Sequence, residues 1–148
     1  MKKLILSLML AILSSLGIYA QNYSMHQKEV IAEISSYLRG NDYSVEEKPN
    51  GLKFKSDGVT YYVEVSHEDK NPIFVSLKRY IQFGGSIKRA NVISNLEELN
   101  KSFGVKVIVR KNEVVLSSEM FISESSHFTD AFNTMFTQIK SVYKEIHN

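Results

Sequence analysis

"VTYYVEVSHEDKNPIFVSLKRYIQF", residues 59–83, decides how this chain folds. On either side of "HEDKNP" an apolar residue recurs at nearly every second position, which is the period of a β-strand. Val59, Tyr61, Val63 and Val65 share one side of the first run. Ile73, Val75, Leu77, Ile81 and Phe83 share one side of the second. Pro72 cannot donate to a strand ladder, so the runs are two strands joined by a turn. A link this short favours antiparallel pairing. The residues between pose a question, because Tyr62, Phe74 and Tyr80 fall on the side that water should cover.

Upstream, "SDG" at 56–58 and "KPNG" at 48–51 are turns, and Leu52 and Phe54 alternate with lysines between them. Tyr43, Val45 and Glu47 alternate before that. Met25 to Arg39 predicts a helix with Val30, Ile31, Ile34, Tyr37 and Leu38 on one face and Gly40 just past its end.

Downstream, "FGGS" ends the strand, and Ser86 predicts the cap of a middle helix carrying Ile87, Ala90, Ile93, Leu96, Leu99 and Phe103, closed by Gly104. Val105, Val107 and Val109 form a strand, "RKNE" a tight turn, and Val114, Leu116, Met120 and Ile122 a longer strand. The last helix is apolar over a wide arc from Phe128 to Ile146, with Phe132, Phe136 and Ile139 predicted to face the sheet. The result is an α+β domain with an antiparallel sheet, in the order α-β-β-β(β)-α-β-β-α, its helices mainly on one face.

The first twenty residues read differently. Lys2 and Lys3 precede an apolar run from Leu4 to Leu13, and Ala20 offers a small residue for cleavage. This predicts a signal peptide at 1–20 and a single domain at 21–148, exported to the periplasm or secreted. The run is too short to span a bilayer, and no second long apolar run follows it, so no membrane attachment is expected after cleavage. The whole chain carries a formal charge of +2, and both lysines of the leader account for it. A neutral mature chain lacks the attraction that nucleic-acid binding needs. The absence of cysteine excludes disulfides and thiol chemistry, so packing alone must hold the domain.

"VISNLEELNKSFGVKVIVRKNEVVLSSEMFI", residues 92–122, resembles the Asn-bearing helix and hairpin of the YbjN-like family, within the type III secretion chaperone-like fold. "HFTDAFNTMFTQIKSVYKEI", residues 127–146, resembles that family's closing helix. The likeness covers about Met25 to Ile146. It implies a binding or chaperone-type protein, no catalytic residues, and a fold that often dimerises. The chain departs from it in its predicted export and in Lys111-Asn112 at the last hairpin turn.

The residues themselves point to no catalytic chemistry. His26, His67, His127 and His147 lack metal-ligand spacing, and "HED" at 67–69 reads as a solvated turn. No serine sits in a nucleophile elbow. No metal, cofactor or enzyme activity is expected. One small-ligand alternative stands: Gly85, Ser86, Lys88 and Arg89 at a helix start would suit an anion, since two cations there oppose the helix dipole.

The stronger reading concerns the second sheet face. Strand parity places Tyr62, Phe74, Tyr80, Ile108, Val115 and Phe121 there, opposite the core side. Either the middle helix folds over them, or they are dispersed across the strands and individually harmless, or they form a surface for a protein or peptide client or a second copy of the chain.

Overall fold

The computed structural model describes residues 23–68, 70–102 and 104–147. The predicted leader, its cleavage point, Asp69 and Phe103 lie outside them.

Helix α1 spans Met25–Gly40. Its start is fixed by a reciprocal pair: the Ser24 hydroxyl accepts from the Gln27 N–H at 3.2 Å, and the Gln27 side-chain oxygen accepts from the Ser24 N–H at 2.7 Å. The buried Gln27 amide then donates to the carbonyls of Ser66 and Glu68, at 2.7 and 3.2 Å. One side chain thus caps the helix and ties it to the loop after β3. Gly40 lies inside the last turn rather than beyond it, and Asn41 caps the end.

Six strands follow: β1 Ser44–Lys48, β2 Gly51–Ser56, β3 Val59–Val65, β4 Ile73–Gln82, β5 Lys106–Val109 and β6 Glu113–Ile122. They form one sheet in the order β1-β2-β3-β4-β6-β5, with every neighbouring pair antiparallel. The ten-residue strands β4 and β6 pair along their whole length, the longest pairing in the sheet.

The middle helix differs from expectation. It is two short helices, α2 Arg89–Ser94 and α3 Leu96–Ser102. The break lies at Asn95. Its side chain and the Ser94 hydroxyl both donate to the Asn91 carbonyl, at 3.1 and 2.9 Å, and such local bonds compete with helix propagation. The break resets the helical period. Val92 and Leu99 are buried, whereas Ile93 and Ala90, expected on the inner face, are exposed.

Helix α4, Ser125–His147, lies across the sheet and buries Phe128, Phe132, Met135, Phe136, Ile139, Val142 and Ile146. Phe132 and Phe136 stack on each other, 5.4 Å apart, and meet Phe54 from β2. Phe136 also meets Tyr61 from β3 edge-on at 4.8 Å. The buried residues of α1, α2, α3 and α4 join strand residues of a single parity in one core. The short helices therefore do not fold over the other sheet face, and the four described helices lie on one side of the sheet. Among the described residues, no helix is long and apolar enough to cross a membrane.

Candidate functional site

The open face is built by strand register. On β4, Phe74, Ser76, Lys78 and Tyr80 alternate with the core residues, and β6 sets Phe121, Glu119, Ser117 and Val115 directly beside them. From β3, Glu64 lies beside Ser76 and Tyr62 beside Lys78. From β5, Lys106 lies beside Ser117 and Ile108 beside Val115. From β3 to β5 four rows lie in succession, and a fifth, Gln82 beside Glu113, lies beyond them. Phe74 and Phe121 make an aromatic row. Glu64, Ser76 and Glu119 make an acidic row. Tyr62, Lys78, Ser117 and Lys106 make a basic row. Tyr80, Val115 and Ile108 make an apolar row.

Diagonal contacts knit the rows together. Lys78 pairs with Glu64, and Lys106 with Glu119 at 2.8 Å. The Tyr80 hydroxyl donates to Glu64 at 2.7 Å, while its ring meets Tyr62 edge-on at 5.2 Å and carries the Arg110 guanidinium 5.7 Å from its centre. Burial, reinforced by the bond to Glu64, pushes the Tyr80 phenol up to about 12. Phe74 and Phe121 meet at 5.3 Å.

The expected six residues do share this face, but unequally. Phe121 is 66% exposed, while Tyr62, Phe74, Tyr80 and Ile108 are half-buried. Val115 is a correction: it is only 1% exposed, because it sits in the row between Tyr80 and Ile108. It fills the floor and cannot anchor a partner. The rings form two pairs, one at each end of the face. A cavity of about 530 Å³ adjoins Tyr62 and Tyr80, with Asn50, Gln82 and Glu113 also in its walls.

The residues singled out for an anion are arranged differently from expectation. Gly84 and Ile87 exchange both backbone hydrogen bonds at 3.1 Å, so Gly85 and Ser86 form the tip of a tight reversal. Gly85 takes a φ of 57°, which suits glycine. Ser86 does not cap a helix; its hydroxyl lies 3.1 Å from the His147 ring. The following helix begins at Arg89 and makes no side-chain cap bond through Lys88. The physical cause is Ile87, which is buried and draws the chain inward before a helix can start. Among the described residues, no three side chains of the His, Cys, Asp and Glu types gather as a metal site.

Comparison with known proteins adds the fold alone. No family model matches the chain, and no curated protein does. An uncharacterized protein from Methanothermobacter thermautotrophicus has a similar solved structure, with a TM-score of 0.58 at 11% identity, covering 79% of this chain and 96% of that one.

Two features escaped the sequence reading. Arg79 has the parity of the core, opposite Leu116, and is buried there beneath Tyr143. Asn100 on α3 accepts from the Val107 N–H at 2.8 Å and so occupies the outer edge of β5. The alternation of β4 contained the first signal, since residue 79 continues the series 73, 75, 77. The second had none, because nothing local links Asn100 to Val107.

Proposed function

We propose that this chain is an exported, non-enzymatic binding domain of YbjN-like character, which takes another polypeptide on the open face of its sheet. The observation that carries this reading is Phe121. It stands 66% exposed on β6, beyond the stretch that β5 covers, and edge-on to Phe74 directly across the ladder. Water-facing sheet surfaces are usually polar at such positions. Paired aromatic rings give large contact area at small entropic cost. The half-buried Tyr62, Tyr80 and Ile108 extend the surface to its other end.

The test is selection of short random peptides on the immobilised protein. Binders that compete with one another and are lost with Phe121→Asp support the reading, provided that the variant melts like the parent. Equal recovery on parent and variant removes its support. The small-anion alternative at Gly84 to Arg89 has less in its favour, because the Gly84 and Ile87 N–H groups of that reversal each already donate to the other residue's carbonyl.

A further inference from the structure

The order of rows on the open face is self-complementary. Along the strands, from β3 to β5, it runs aromatic (Phe74, Phe121), acidic (Glu64, Glu119), basic (Lys78, Lys106), apolar (Tyr80, Ile108), with Gln82 and Glu113 beyond the apolar row. A two-fold axis lying in the interface, perpendicular to the strands and between the acidic and basic rows, reverses that order on the facing copy. Acidic then meets basic, and aromatic meets apolar. On β1 and β2 Lys48 continues the acidic row, and Lys53 and Glu46 the basic one, so there too opposite charges exchange places about the same axis. Such an isologous contact puts the same patch on both subunits.

We infer that the partner seated on this face is a second copy of the chain, packed sheet to sheet about that axis. The inference rests on the reading of this face as a polypeptide-binding surface. Side-chain size agrees with it. Ser117 lies in the basic row between Lys78 and Lys106. The axis puts Glu119 of one copy over the Ser117 position of the other, a small residue flanked by two lysines. Phe121 comes to face the Val115 floor between Tyr80 and Ile108. Both acidic and basic rows contribute in each copy, so every charge contact occurs twice. Charge matching of this kind fixes register and excludes the parallel arrangement, in which like rows would face each other.

The test uses three proteins: the parent, Glu119→Lys, and Lys78→Glu with Lys106→Glu. Light scattering with sedimentation equilibrium should give the parent twice its chain mass at micromolar concentration. Each variant alone should self-associate at least tenfold more weakly, because equal charges then face each other. An equimolar mixture of the two should restore a heterodimer, since a basic surface meets an acidic one. Melting curves of each variant keep loss of fold apart from loss of contact. Should Lys78→Glu unfold the domain by abandoning Glu64, Lys106→Glu alone serves in the mixture. A dimer indifferent to both variants overturns the inference, since its interface is elsewhere. A monomeric parent overturns it too. In that case, peptides lost with Phe121→Asp leave the broader binding role standing, and their absence removes both.

Discussion

The guanidinium carbon of Arg79 lies 3.4 Å from the centre of the Tyr143 ring. Arg79 is only 8% exposed, and among the described residues no carboxylate forms an ion pair with it. A buried cation without a counter-charge is expensive, and the ring face offsets part of that cost. In a double-mutant cycle with Arg79→Met and Tyr143→Leu, the coupling should reach about 2 kcal/mol. Purely additive effects in urea denaturation would show that the stacking does not hold Arg79 in place.

Asn100 should protect the sheet edge. Its side chain accepts from the Val107 N–H at 2.8 Å and donates to the Leu96 carbonyl at 2.9 Å. Exposed strand edges recruit other strands. Asn100→Ala should cost about 1–3 kcal/mol through the unpaired amide. It should also aggregate faster than the parent on prolonged warming, followed by turbidity. A variant matching the parent in both measurements means that β5 needs no guard.

Gly51 and Gly40 should respond oppositely to alanine. A Cβ on Gly51 would stand 2.1 Å from the Val63 carbonyl oxygen, and its φ of 136° suits glycine alone. Gly51→Ala should lose more than about 3 kcal/mol. Gly40 has nothing within 4 Å of the same added atom and lies in the last turn of α1. Gly40→Ala should gain about 0.5–1 kcal/mol. Thermal melting of both decides it, and a tolerated Gly51→Ala would contradict the close pairing of β2 with β3.

Tyr80 should ionise late. Its raised folded value means that folding favours the neutral phenol over its ordinary value of 10.0. The stability it contributes is complete below pH 10 and is lost as the pH rises towards about 12. Ultraviolet titration should therefore show a tyrosinate near pH 12 that Tyr80→Phe removes. Survival of that step in the variant assigns it to another tyrosine.

Local pattern determined much of this protein. Alternation in 59–83 set the strands and their inward sides, and the stripe in 125–147 set the docking face of α4, because both depend only on the backbone period of neighbouring residues. Parity alone placed Tyr62, Phe74, Tyr80, Ile108, Val115 and Phe121 on one face. What lines up across that face is a different matter. The insertion of β6 between β4 and β5 brings Glu119 beside Ser76 and Lys106 beside Ser117. Register between strands distant in sequence is fixed by how the two sheet layers of side chains pack, and no local period encodes it. For the same reason only the tertiary structure hid Val115 under its neighbours, left Phe121 exposed, closed the Gly84–Ile87 reversal around a buried isoleucine, and placed Arg79 beneath Tyr143.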